Sequence, residues 1–412
     1  MARFQILVLN CFRKMAAASR DCAYDIISLP MMDSAATVTR PAKQAAQTKI
    51  HALTSIRFFA AFYVVLFHTQ WGITPGSALD QFLSMGAASV CFFFLLSGYI
   101  LALVYLREGQ PVPRRKFYVA RFARIYPLYF ASLVADTPFA IYLSAAKYGL
   151  KHAIERIALL FAGSMVMMQM WRQASSGING PGWSLCVETV FYLSFPVYGQ
   201  WLWKLNKRRV WIAASLFYGA EVAVSAAIFH HKKYHVPGLD LISFVGIFGL
   251  GVLVARWQAL TTGFRPDDSG LNRKAWAVFL LASLGAVAVA CFAPWLNRMN
   301  LPPAFVLEPV FMGWIWSLSV AQILPVRLLS ARWLVVLGEA SYGLYLIHTP
   351  VDHAFSRLHW TGSPWNYPLY LGTCIGLSVL SLYYLEAPAR RMILSRFHSQ
   401  TKETLEASSA AQ

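Results

Sequence analysis

Within the apolar stretches of this chain sit a few residues that water normally keeps: Arg57, His68, Glu188, Glu339 and His348. An ionisable group inside a membrane-crossing segment is costly, so each marks a place where function is expected. In ALTSIRFFAAFYVVLFHTQWG, Arg57 and His68 are eleven residues apart. That is close to three helical turns, so both share one face, about 16 Å apart along the axis. An isolated Arg costs about 3 kcal/mol on insertion scales. Either Arg57 faces a polar cavity and His68 moves protons near its outer mouth, or Arg57 snorkels inward and His68 caps the outer interface. In PRRKFYVARFARIYP, Arg114, Arg115, Lys116, Arg121 and Arg124 cluster, with Arg121 and Arg124 at i, i+3 on one helical face. Guanidinium forks suit phosphate, so this loop is a cradle for an anion or a plain topology anchor. NGPGWSLCVETVFYLSFP carries Glu188 about one and a half turns inside a span. There it orients a histidine, binds substrate hydroxyls, or serves as a structural hydrogen-bond partner. GEASYGLYLIHTP brings Ser341, Tyr342 and His348 besides Glu339, with His348 at a depth like that of His68. Glu386 and Arg390 read as a helix-end tether. The run from His230 to His235 reads as an exposed outer loop, since its lysines repel a cation; no metal site is expected.

The elements that position these residues follow from composition. Of 412 residues 57% are hydrophobic and only 13% charged, where ordinary soluble domains carry about 25%. That excludes a soluble or a disordered chain. The net charge of +18 would point to nucleic acid in a soluble protein. Here it marks cytoplasmic loops instead, and no nucleic-acid partner is expected. Ten apolar segments follow one another, near 51–72, 83–105, 126–146, 183–203, 211–230, 238–255, 275–296, 304–323, 333–350 and 368–386. Each approaches the roughly 20 residues that cross the hydrocarbon, and helices are required because lipid satisfies no backbone hydrogen bond. With the N-terminus inside, 27 of the 36 Lys and Arg lie on the inner side and eight outside, with Arg57 in the first span. The expectation is thus an all-α polytopic bundle of about ten transmembrane helices with both termini cytoplasmic. Residues 1–50 read as a flexible cytoplasmic extension, 51–391 as the membrane domain and 392–412 as a cytoplasmic tail. The apolar run Phe4–Phe12 precedes Arg13 and Lys14, the reverse of a secretory signal. Residues 157–172 are apolar but short, and read as a re-entrant or interfacial helix on the outer side. The six cysteines are scattered without metal-ligand spacing.

Five motifs, in order, resemble the acyltransferase-3 family of integral membrane O-acyltransferases: Arg57 with ten residues before His68, FFFLLSGYIL (92–101), RFARIYP (121–127), GPGWSLCVETVFY (180–192) and SYGLYLIHTP (341–350). The resemblance implies transfer of an acyl group, usually acetyl, from cytoplasmic acyl-CoA to a sugar hydroxyl of a cell-surface or exported glycan, in a bacterial inner membrane. Acyl-CoA is then a co-substrate and no cofactor stays bound. The resemblance places the family's first-span pair on Arg57 and His68, its basic loop motif on Arg121 and Arg124, and its Trp-Ser-Leu…Glu motif on Trp183, Ser184 and Glu188. In that reading His68 and Glu188 are catalytic, and Arg57, Arg114, Arg115, Arg121 and Arg124 bind acyl-CoA. Trp183, Ser184, Ser341, Tyr342 and His348 support the acceptor. Thr189 follows Glu188 where members often carry a second Glu, and Cys186 stands where they carry a small polar residue. No periplasmic esterase-like domain is expected after the last span. A transporter or flippase would also use buried Arg, His and Glu, but no inverted repeat of that kind is present. Oligomeric state is not legible.

Overall fold

The computed structural model describes residues 40–108, 110–169, 178–230, 239–262, 269–298, 306–361 and 365–410. Helices account for nearly all of them, and no strand occurs among the described residues. In order they are α1 (Arg40–His68), α2 (Ala78–Ser84), α3 (Ser89–Tyr105), α4 (Arg114–Tyr148), α5 (Leu150–Met165), α6 (Trp183–Trp203) and α7 (Lys207–His230). There follow α8 (Leu239–Thr261), α9 (Ser269–Arg298), α10 (Glu308–Val320), α11 (Leu324–Leu329), α12 (Arg332–Arg357), α13 (Asn366–Ser381) and α14 (Ala387–Ala410).

Six stretches are long and apolar enough to cross a membrane: His51–His68, Ala78–Tyr105, Arg114–Tyr148, Phe244–Thr261, Ser269–Leu296 and Asn366–Phe397. The other four expected spans also fall on helices: α6, α7, α10 and α12. These carry much of the polar load, among it Glu188, Glu221, Glu308, Glu339 and His348. α10 has only 13 residues. α1 begins at Arg40, inside the expected lead-in, and α14 runs on through much of the expected tail. Of the expected re-entrant segment, residues 157–165 fall in α5, whose 16 residues rise about 24 Å, short of the roughly 30 Å hydrocarbon core; residues 170–172 lie outside the described residues. It packs on α4 through Ala153, Ile157 and Ser164. Residues 231–235 of the His-rich run lie outside the described residues.

Small residues set the closest helix contacts, as expected where lipid offers no hydrophobic drive to association. α3 and α8 cross antiparallel. A Cβ on Gly98 would overlap the carbonyl oxygen of Phe248, and one on Gly251 that of Leu95. Gly338 of α12 meets the backbone of Thr54 in α1, and Gly343 meets Ser378 and Ser381 at the end of α13. α13 passes into a π turn at Leu382–Glu386. There Glu386 accepts from Ser381 Oγ (3.3 Å). No ion pair joins it to Arg390; the ion pairs among the described residues are Arg256–Glu108 and His353–Asp136.

Candidate active site

α1, α3, α4, α6 and α12 enclose a cavity of about 160 Å³. Arg57 of α1, Arg121 and Arg124 of α4, Ser184 and Glu188 of α6, and Ser341 and Tyr342 of α12 all line it. Seven of the twelve residues singled out in the sequence therefore meet at one place. The sequence reason is periodicity. Arg121, Arg124 and Ile125 recur at helical spacing, as do Ser184, Glu188 and Tyr192, and Ser341, Tyr342 and Tyr345. Each set faces the same centre.

The three arginines have no carboxylate within ion-pair distance among the described residues. Aromatic faces hold two of them instead. Arg121 lies over the rings of Tyr105 and Tyr192, each 5.8 Å from its Cζ, and Arg124 lies 6.0 Å from the ring of Tyr342. Arg121 Nε is buried without a hydrogen-bond partner. Such an array is oriented without a direct ion pair, while Glu188 lines the same cavity and Glu339 and Glu386 lie within electrostatic reach of Arg57 and Arg124; guanidinium forks not engaged by carboxylates suit an incoming anion. The Tyr342 hydroxyl donates to the carbonyl of Ile125 (2.8 Å), tying α12 to α4 beside it. Glu188 Oε1 accepts from Ser97 Oγ (3.2 Å) and from the Tyr192 hydroxyl. Its Oε2 takes no hydrogen bond among the described residues and is left for a substrate donor.

Farther along, Ser184 Oγ and the Tyr345 hydroxyl lie 2.8 Å apart and both approach the carbonyl of Pro181 (3.1 Å each). The Tyr345 ring leads on to His348, centroids 6.3 Å apart, and His348 lies 5.1 Å from His68. α1 and α12 run parallel here, so both climb from the arginine level to the imidazole pair. His68 Nδ1 is 3.0 Å from the carbonyl of Val64, and His348 Nδ1 is 3.3 Å from that of Leu344. A carbonyl only accepts, so each neutral ring carries its hydrogen on Nδ1 and a lone pair on Nε2. His348 is buried, and Thr349 Oγ1 approaches its Nε2 (3.4 Å). His68 ends α1 in an exposed position, and its Nε2 has no partner among the described residues. Its geometry is that of a free base.

Of the five predicted residues that do not line the cavity, three also stand apart from the imidazole pair. Trp183 packs its indole against Phe94 and Phe244 as part of the wall. Arg114 and Arg115 are exposed in the first turn of α4, Arg115 over the ring of Phe397.

Sequence reasoning missed the scaffold around the 180s motif. Asp136, 1% exposed on α4, accepts from the backbone N–H of Asn179 (2.7 Å) and from His353 Nδ1 (2.7 Å). Asn179 Nδ2 donates to the carbonyl of Leu346 (3.0 Å). Asn179 stands in the left-handed region (φ 48°) and starts the 3₁₀ turn Gly180–Gly182 that leads into α6. A Cβ at Gly182 would overlap the Gln169 amide. An Asp inside an apolar run was the available signal. Tyr192 and Tyr345 gave none, since their type is ordinary in a span, and Ser97 is legible only as half of a Ser-Gly pair that lets helices approach. Glu221 and Glu308 are buried on α7 and α10 and do not line the cavity.

The model of the acyltransferase-3 family, described as an acyltransferase domain, matches residues 50–383. Acyltransferase MdmB of Streptomyces mycarofaciens is 29% identical over 75% of this chain and 81% of its own length. Nodulation protein 10 of Rhizobium leguminosarum bv. viciae is 25% identical over 82% of this chain and 92% of its own. Peptidoglycan O-acetyltransferase OatA of Listeria monocytogenes is 23% identical over 83% of this chain and 56% of its own. No solved structure matches. The motifs carried by α1, α3, α4, α6 and α12 all fall within the matched region, and this chain belongs to the acyltransferase-3 family of membrane O-acyltransferases.

Proposed function

We propose that this enzyme crosses a bacterial inner membrane about ten times, with both ends in the cytoplasm, and moves an acetyl group from cytoplasmic acyl-CoA to a sugar hydroxyl of a cell-surface or exported glycan. One observation carries the reading: arginines without direct ion pairs line one cavity, and an imidazole with an unpartnered Nε2 lies farther along α1, the helix that carries Arg57. Acyl-CoA is a phosphorylated thioester, so its anionic end belongs with Arg121 and Arg124 and its uncharged arm with the cavity past Arg57. Arg114 and Arg115, exposed at the mouth, attract the donor from a distance. On the outer side His68 Nε2 takes the proton of the acceptor hydroxyl as its oxygen bonds to the thioester carbonyl. The C–S bond then breaks and the CoA thiolate takes up the proton that His68 received, which restores the neutral imidazole. The guanidinium of Arg57 is a donor available to the developing oxyanion, and the hydroxyls of Ser184 and Tyr345 join it by turning from the Pro181 carbonyl. Glu188 Oε2 receives a substrate hydroxyl, while Ser341, Tyr342 and His348 hold the walls and the His68 ring, and Trp183 backs the span.

Two measurements test this. Purified protein in detergent, given acetyl-CoA and a glycan fragment, releases free CoA thiol in step with acetyl gain on the glycan. Surface glycans of a deletion strain lose an acyl mass that the parent carries. Identical glycans in both strains contradict the acceptor assignment, and thioester consumption independent of acceptor contradicts transfer.

A further inference from the structure

A second concavity, about 480 Å³, opens where α3, α6 and α8 end, a volume in the range of small-molecule sites. None of the residues discussed above as reacting or anion-binding lies in it. It sits at the Arg121 end of the bundle, since Arg121 lies over Tyr105, the last residue of α3. Trp203, in its wall, follows Tyr192 of the first cavity by eleven residues. That places both on one face of α6, about 16 Å apart.

Its chemistry is specific. Arg107, Lys204 and Arg256 bring three cations against one carboxylate, Glu108. Arg256 is 7% exposed and fixed on three sides: Nε donates to the carbonyl of Leu205 (3.0 Å), Nη1 to Glu108 (2.8 Å), and Cζ lies 5.2 Å from the Trp203 ring. The Glu108 side chain is 77% exposed, so water and salt compete for it and an anion can displace it. Trp203 is only 8% exposed, and its indole N–H is buried with no acceptor. A buried donor left unpaired is rare in a finished site and calls for an acceptor from a ligand. Gln200 braces the loop after α3, with its Oε1 accepting from Val112 N–H (2.6 Å) and its Nε2 donating to the carbonyl of Pro196 (3.1 Å).

A fixed guanidinium, an orphan indole donor and two exposed cations suit a polar, phosphorylated ligand. We propose that this vestibule is a separate subsite for the nucleotide end of acyl-CoA. Its ribose phosphate pairs with Arg107, Lys204 and Arg256, and the diphosphate continues to Arg121 and Arg124. The inference rests on the donor reading given above.

Truncating the donor separates the two. Acetyl-pantetheine keeps the thioester and lacks the nucleotide. The double variant Arg107→Ala/Lys204→Ala, both positions exposed, raises KM for acetyl-CoA about tenfold or more through lost charge-assisted contacts. Its kcat/KM for acetyl-pantetheine stays at the wild-type value. Trp203→Phe, which keeps an aromatic ring and loses the N–H, shifts the acetyl-CoA KM in the same sense. Equal losses with both donors, or none with either, overturn the subsite. Equal wild-type use of the two donors overturns it as well, while the transfer chemistry stands. A wild-type protein that consumes neither thioester overturns the donor reading and the vestibule falls with it.

Discussion

Replacing Arg121 by glutamine removes a cation held by two aromatic faces and by no carboxylate. Each ring centroid, of Tyr105 and of Tyr192, lies 5.8 Å from the guanidinium carbon. Contacts of this kind contribute about 0.5–1 kcal/mol each at partly exposed sites. The free enzyme therefore loses about 1–2 kcal/mol of stability by this sum of two contacts. The donor complex loses more. A charge-assisted hydrogen bond contributes about 1.5–3 kcal/mol, which corresponds to roughly 10- to 150-fold in affinity. Arg121→Lys keeps the charge and loses the planar fork, so its defect falls between wild type and Arg121→Gln. The assay is KM for acetyl-CoA at saturating acceptor, paired with calorimetric binding of CoA to the purified protein. A KM and a CoA affinity both unchanged in Arg121→Gln would refute the reasoning and reduce the residue to a topology signal.

Other consequences are as direct. Glu188→Gln keeps an oxygen to accept from Ser97 and Tyr192, so the protein folds, while the lost charge-assisted bond to the substrate hydroxyl lowers kcat/KM about tenfold or more; steady-state kinetics read this. Asp136→Ala strips the acceptor from the Asn179 N–H and from His353. A buried donor left unpaired costs about 1–3 kcal/mol, visible as a lower melting temperature in detergent, with kcat falling because the turn before α6 loosens. Gly251→Ala drives a methyl into the Leu95 carbonyl, and overpacking of this kind costs about 1–3 kcal/mol, again read by thermal unfolding.

The sequence was informative where chemistry is costly. Arg57, Glu188 and the arginines of RFARIYP stood out because charge inside apolar runs needs a reason, and the structure brings them to one cavity. His68 and His348 stood at matching depths in the sequence, and their rings are neighbours. Their tautomers were not legible, because these depend on which carbonyl each Nδ1 meets four residues back. The Ser97–Glu188 and Ser184–Tyr345 contacts join residues 91 and 161 positions apart, and only tertiary packing reveals such pairs. Asp136 was legible by the same rule that found Glu188 and was passed over. The helices falling short of span hydropathy are largely those loaded with polar residues, so the fold signal weakens where the functional signal grows. Trp183 shows the converse: a motif residue whose ring packs the wall against Phe94 and Phe244.

The central claim is that the Nε2 lone pair of His68 accepts the acceptor proton. His68→Asn tests it most directly, since its amide can still donate toward the Val64 carbonyl but offers no comparable base. The measurement is acetyl transfer to a glycan by purified variant and wild type, alongside CoA binding and melting temperature. The account predicts transfer reduced by about 100-fold or more, with CoA binding and melting temperature retained. Transfer within a few-fold of wild type would contradict it.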